Sequence, residues 1–335
     1  MEIVQQNPGN PEVTSCRLSV IVISYQRPEP LELCLEDLAA QDTTLPFEVV
    51  LVLQAHLLGT ADRLRQRFGD RLTLQIAEFD RGLGTSRARN AGLAMSHGEM
   101  VAFVDDDERV PKHWVRRMIE FFDDDPAIGG VGGLVDHPGH YTTGRKAVYR
   151  ALGLTSNRYR IDWGGFNVGP ATHPDTDLPA DWLSGGNMAF RRKAIQAVGG
   201  FDESLGSFWH EDVDATYRVR ASGWKMISSN KVAVDHYPSS VNRPPLHRQM
   251  RERERSRVLF VWKAIGSAPL WRLRYGARLL LQAGAMTVIG LAKRDLRIPL
   301  GVLRGGWEGY RDLPNARAAT ARRSEVQANA AEGHR

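Results

Sequence analysis

Apolar positions in this chain fall into short unbroken runs, separated by stretches in which they recur at helical spacing. Leu18 to Ser24 (LSVIVIS), Phe47 to Leu53 (FEVVLVL), Leu72 to Ala77 and Met100 to Val104 (MVAFV) are bounded runs of strand length, rich in branched residues. Leu31, Leu35 and Leu38 repeat at helical spacing behind Pro28 and Pro30, and Thr60 to Phe68 predicts a second helix. Ser86 to Met95 predicts a third, opened by a serine cap, and Pro111 stands ahead of a fourth that reaches about Phe122. This alternation over the first ~120 residues predicts a parallel sheet covered on both faces, with sites at the carboxyl ends of its strands.

Beyond that the pattern loosens. Ile128 to Val135 reads as a glycine-rich strand, and His137 to Ala180 as long loops. Trp182 to Phe190 predicts a strand, Glu211 to Ser222 a helix stopped by Gly223, and Lys225 to Val234 a closing strand. After Pro244 and Pro245 a charged helix, Leu246 to Ile265, leads into two arginine-rich segments with apolar stripes, and from about Arg317 an Ala- and Arg-rich end is expected to fray.

Composition changes the picture only through charge. With 335 residues, 42% hydrophobic and 25% charged, the chain is long enough for a large core and ordinary for a globular protein. Its net charge of +5 is split: residues 1–242 hold 25 Lys and Arg against 32 Asp and Glu, whereas residues 243–335 hold 19 against 7. An acidic body with a basic tail points the tail toward something anionic, or makes it a solvated basic surface. Cys16 and Cys34 are too few for a disulfide framework or a thiolate zinc site. The first ten residues do not read as a signal peptide, and the longest apolar stretch, Leu279 to Ala292, falls short of a spanning helix. The expectation is a cytoplasmic protein, soluble or lying on the inner face of the cell membrane.

Chemistry concentrates in two places. Asp105-Asp106-Asp107 follows an apolar strand directly, and adjacent carboxylates at a strand end call for a neutralising cation such as Mg2+ or Mn2+. The competing reading is a solvated acidic turn capping the next helix. Glu211-Asp212 opens a helix, where the dipole alone favours acids, yet a carboxylate there is also suited to take a proton from a hydroxyl. Gly185-Gly186-Asn187 allows either close ligand approach or a plain tight bend, and Arg89-Asn90 either a nucleotide contact or a solvated helix face. No Gly-Lys-Ser/Thr follows the glycines, and no Gly-x-Ser-x-Gly elbow occurs.

Four motifs in this order resemble a family-2 glycosyltransferase of bacterial type: SVIVISYQRP, RARNAGLAMSHGEMVAFVDDDE, WLSGGNMAFRRKAIQAVGGFDE and HEDVDATYRVRASGW. The resemblance covers about Leu18 to Pro238 and implies the GT-A fold, α/β and Rossmann-like, followed here by a helical extension. It implies an inverting transfer from a nucleotide-sugar donor to a hydroxyl of a glycan or lipid-linked acceptor, with a divalent metal as cofactor. By that resemblance Asp105 and Asp107 hold the metal, joined by His236, and Asp212 is the general base with Glu211 beside it. Ser24, Tyr25, Arg27, Arg89, Asn90, Asp106, Trp182, Gly185, Gly186 and Asn187 border the donor.

One departure stands out: the acidic residue usual after the second strand is missing from Leu53-Gln54-Ala55-His56, leaving Gln54 as a neutral partner for a base. That gap is what favours the alternative, a non-catalytic nucleotide- or glycan-binding protein on the same fold. No nucleic-acid-binding module is recognisable. The expected layout is an N-terminal extension (1–17), a transferase domain (18–242), a basic amphipathic extension (243–316) and a disordered tail (317–335). The extension is expected to touch a membrane peripherally through residues 270–311, or to pack on the body or in a homo-oligomer.

Overall fold

The computed structural model describes residues 16–136, 156–170, 176–205, 209–238, 244–266 and 269–332, with side chains to residue 315. The N-terminal extension up to residue 15, much of the predicted loop region after His137, and the junction near residue 242 lie outside the described residues.

Strands and helices alternate as the pattern predicts: β1 (Leu18–Tyr25), α1 (Pro28–Ala39), β2 (Phe47–Gln54), α2 (Thr60–Phe68), β3 (Leu74–Phe79), α3 (Thr85–Met95) and β4 (Met100–Asp105). Next come β5 (Glu108–Arg109), α4 (Trp114–Asp124), β6 (Ile128–Gly132) and β7 (Val135–Asp136). A small hairpin, β8 (Arg160–Ile161) and β9 (Asn167–Val168), precedes β10 (Leu178–Pro179), β11 (Asn187–Arg191) and α5 (Arg192–Ala197). The body ends with α6 (Glu211–Ala221), β12 (Lys225–Ser228) and β13 (Val234–His236), and the extension is α7 (Leu246–Phe260), α8 (Pro269–Ala292) and α9 (Arg297–Glu332).

The central sheet runs β10-β12-β6-β11-β4-β1-β2-β3. Its β4-β1-β2-β3 half is wholly parallel, while β11 enters antiparallel between β4 and β6. Alternation along the strands sorts the core. Val20, Val22, Leu51 and Val104 face α1, α2 and α4, while Ile21, Val50 and Phe103 face α3, α5 and α6. Trp114 is fully buried on the first face, the kind of side chain whose burial contributes about 1.5–3 kcal/mol or more.

Two predicted strands are shorter than their apolar runs. Residues 182–186 stay irregular because Gly185 spends its N–H and C=O on side chains, not on a neighbouring strand. The run Lys225 to Val234 breaks at a 3-10 turn, Asn230–Val232, where the Ser229 hydroxyl accepts the Lys231 N–H (3.1 Å). The tail expected to be disordered carries helical backbone to Glu332.

The extension folds back on the body. Gly301, Gly305 and Gly309 present α9 to the α7 backbone so closely that a Cβ at any of them would collide with it. Arg251–Glu308 and Arg255–Asp312 pairs flank that seam. The tip of the β8–β9 hairpin is clasped between α7 and α8: the Phe166 ring lies under both Arg257 (4.0 Å) and Arg278 (4.6 Å), and Arg278 pairs with buried Asp162 at 2.8 Å. Helix α8 also corrects an expectation, since all of Pro269–Ala292 is long and apolar enough to cross a membrane by length and composition, with a third of its most apolar stretch buried on the protein.

Candidate active site

The site lies along the carboxyl ends of the parallel strands. Register places Tyr25 opposite Gln54, and Ile23 opposite Asp105, so β1, β2 and β4 end together. A second, three-stranded sheet, β5-β13-β7, brings His236 opposite Glu108 and puts its Nε2 3.4 Å from an Asp107 oxygen.

Two guanidinium groups organise the carboxylates. Arg89, from α3, is buried; it donates to Glu211 Oε1 (2.6 Å), Asp105 Oδ1 (3.2 Å) and the Gly185 carbonyl (3.0 Å). Arg27, at the start of α1, pairs with Asp106 and with Asp107 (2.7 Å). Asp212 accepts the Gly185 N–H at one oxygen and the Val213 N–H at the other, both at 2.8 Å. Asp105, Asp106, Asp107 and Glu211 thus pair with these two guanidinium groups, while Glu108 and Asp212 lie beside them without an ion pair of that kind among the described residues. Burial pushes Asp106 up to about 7 against the pull of Arg27, and lifts Glu108 well above the carboxylate range. Burial likewise raises Glu211 and Asp212, with Arg89 opposing it.

Such an acid excess attracts a cation. Among the described residues no three of His, Cys, Asp and Glu are gathered around one point, since Asp105 is turned to Arg89 and Asp107 to Arg27. The donor set itself fits a hard divalent ion: two carboxylates, an imidazole beside one of them, and surplus negative charge behind.

A sequence profile described as glycosyl transferase family 2 matches residues 19–199, more than half of the chain. The chain belongs to that family. It is 26% identical to the hyaluronan synthase of Pasteurella multocida over 62% of its own length, and spans about a quarter (23%) of that much longer protein. It is also 26% identical to the glucosyl-dolichyl phosphate glucuronosyltransferase of Haloferax volcanii, covering 66% of this chain and 69% of the relative. The fold is shared with a mannosyltransferase from Pyrobaculum calidifontis in complex with GDP-Man and Mn2+ (TM-score 0.58, 19% identity, 90% and 88% of the two chains). It is shared too with GalNAc-T7 bound to UDP, GalNAc and Mn2+ (TM-score 0.61, 16% identity, 81% and 52%).

Within this family-2 chain, several residues expected at the donor do other work. Asn187 is fully buried, its Oδ1 accepting from Trp114 Nε1 (3.1 Å) and its Nδ2 donating to the Val232 carbonyl (2.7 Å); it ties β11 to α4 and does not reach the cleft. Asn90 latches the loop before α6 through both the N–H and the C=O of Phe201 (2.9 Å each). Asp106 and Ser24 are buried, Asp106 under Arg27 and Ser24 against His56 at 3.0 Å. Trp182 shares its indole N–H between the Arg160 and Val168 carbonyls, both 3.2 Å away, and so holds the hairpin. Gln54 spends its carbonyl on the Leu83 N–H (2.8 Å). Tyr25 stays exposed beside Gly82.

The glycines are also reassigned. Space beside Gly185 is filled by the Arg89 guanidinium, 2.7 Å from where a Cβ would sit, and a Cβ on Gly186 would overlap the Glu108 carboxylate. These residues make room for buried charge.

Glu108 is one residue that sequence reasoning passed over; its only signal was being a fourth acid behind Asp107. Trp209 and His210 are others. Both adopt left-handed backbone (φ 77° and 71°) immediately before Glu211, at a cost on the order of 1–3 kcal/mol each. Nothing in a Trp-His dipeptide announces that conformation.

Gly186→Ala is expected to lower the melting temperature by several degrees, because the new methyl displaces Glu108. Glu108→Ala in the same chain should recover much of that loss. Equal melting of wild type and Gly186→Ala in a thermal scan would mean that Glu108 is not held against this glycine.

Proposed function

We propose that this chain transfers a glycosyl group from a nucleoside-diphosphate sugar to an acceptor hydroxyl, with inversion, and that Asp212 is its general base. The observation that carries this reading is the contrast within the acidic pair. Glu211 is buried and pinned by Arg89, whereas Asp212 is half-buried, oriented by two backbone N–H groups and open to a substrate. A hydroxyl is a weak nucleophile at neutral pH, so Asp212 takes its proton as the oxygen closes on the anomeric carbon from the face opposite the leaving group. The bond to the diphosphate breaks in the same step, and no enzyme-bound intermediate is required. Burial of the carboxyl makes it a stronger base than a solvated aspartate.

Asp105, Asp107 and His236 would hold a divalent cation, which supplies positive charge for the departing diphosphate. Mn2+ in both structural neighbours supports that assignment. Arg27 and Arg89 keep the acidic cluster partly neutral before donor arrives, and Tyr25 offers an exposed ring beside it.

A glycan or lipid-linked acceptor is supported by the names of the two relatives, a polysaccharide synthase and a dolichyl phosphate glycosyltransferase. The outer faces of α8 and α9 favour the lipid-linked choice. Leu273, Leu280, Val288, Leu300 and Trp307 are all more than 60% exposed, with Arg272, Arg274, Arg297 and Arg304 among them. An apolar face set with arginines suits the anionic cytoplasmic leaflet, each basic residue contributing about 1 kcal/mol.

Four measurements test these assignments. Asp212→Asn should lose roughly 10²-fold or more in kcat with donor KM little changed. In the wild type, kcat should fall with acid through a midpoint above the ~4 of a free aspartate, because the raised carboxyl must be ionised to act. A variant that keeps its kcat places the base elsewhere. Asp105→Asn and Asp107→Asn should each weaken Mn2+ binding in calorimetry while the fold persists; unchanged affinity in both removes them as ligands. The full chain should co-sediment with anionic but not neutral vesicles, and Leu280→Asp with Trp307→Asp should abolish this. No sedimentation of wild type at low salt leaves a soluble acceptor.

A further inference from the structure

The catalytic pair is preceded by two consecutive left-handed residues, Trp209 and His210, and α6 begins at His210 without a side-chain cap. A bulky residue rarely rests in that backbone unless its surroundings hold it. The holding groups come from a single face of α7. Arg253 and Arg257 lie four residues apart, so their side chains leave the helix on the same side. The Arg253 guanidinium covers the Trp209 ring at 5.3 Å, and Arg257 Nε donates to His210 Nε2 at 3.2 Å.

Arg257 is itself fixed in place. It is buried, ion-paired with Glu254 and stacked 4.0 Å from the Phe166 ring, and the Tyr275 hydroxyl of α8 donates to the other Glu254 oxygen at 3.4 Å. A guanidinium only donates hydrogen bonds, so the nitrogen facing it carries no proton. His210 is therefore a neutral ring with its hydrogen on Nδ1. Its carbonyl accepts the Asp214 N–H (2.9 Å), the bond that starts the helix bearing Glu211 and Asp212. Turning His210 turns the pair.

We infer that Arg253 and Arg257 are positioning residues for the reaction: from the C-terminal extension they clamp Trp209 and His210 and so aim Asp212 at the acceptor. Both arginines lie on α7, in the C-terminal extension, so that extension helps to set the aim of the base. Because α7 is braced by α8 and α9, the extension is part of the active-site architecture as well as a surface.

The inference rests on Asp212 being the base, and one set of full-length variants separates the two. Turnover, donor KM and melting temperature are measured with whichever UDP- or GDP-sugar of a panel gives the highest wild-type rate with Mn2+. His210→Ala is expected to lose about 10- to 100-fold in kcat with donor KM within about twofold, the scale of a misaligned catalytic group. His210→Gln should keep kcat several-fold above that of His210→Ala, since its Oε1 reaches the place of Nε2 and accepts from Arg257. Arg253→Met, a half-buried change that leaves the core intact, should lower kcat several-fold at unchanged melting temperature. The clamp is refuted if His210→Ala and Arg253→Met both turn over normally while Asp212→Asn is dead. It is equally refuted if His210→Gln is no better than His210→Ala, or if kcat falls only in step with donor KM and melting temperature. An active Asp212→Asn overturns the base assignment instead.

Discussion

A single buried guanidinium joins the parts of this site. Burying a charge costs several kcal/mol, and Arg89 offsets that cost only by meeting Glu211, Asp105 and the Gly185 carbonyl together. Burial works against its charge, yet Glu211, Asp105 and Asp212 outweigh it and raise the guanidinium's pKa. Those partners belong to α6, to β4 and to the irregular stretch ahead of β11. Helix α3 is therefore locked to three elements far apart in sequence. Gly185 has to be a glycine because the same guanidinium lies against it, and Gly185 in turn orients Asp212.

Around that contact the protein keeps more negative charge than it neutralises. Asp106 stands at about 7, and Glu108 is raised well above the carboxylate range, so protons occupy part of the cluster at neutral pH. Negative charge left in a cleft suits a hard cation, in keeping with the metal proposed above. Arg27 fits the same logic. It spans Asp106 and Asp107, holding the acidic turn together.

The C-terminal helices serve two faces. Inward, Arg257, Arg278 and Phe166 form a stacked, ion-paired core with Asp162 and Glu254, continuous with the loop that carries His210. Outward, α8 and α9 leave an arginine-studded apolar surface. The α7–α9 seam depends on glycines spaced four apart, which bring two backbones close enough for the inward face to be rigid.

Much of this was legible in residue order. Bounded branched runs marked β1 to β4, because a strand buried on both faces favours such residues; the acidic turn and the Glu-Asp helix start marked where carboxylates gather. Asp105, Arg89 and Glu211 do meet at the carboxyl end of β4, since strand ends are where a parallel sheet gathers loops. What tertiary structure alone decided is which polar residue faces the cleft. Asn187 and Asn90 have the side chains of ligand-binding residues, but their amides are consumed by Trp114, Val232 and Phe201, partners distant in the chain. The left-handed turn at Trp209 and His210 was equally hidden, because the two arginines that contact it lie on a helix some forty residues later. Local sequence determines backbone preference and burial; the partner of a buried polar group is set only when the chain closes.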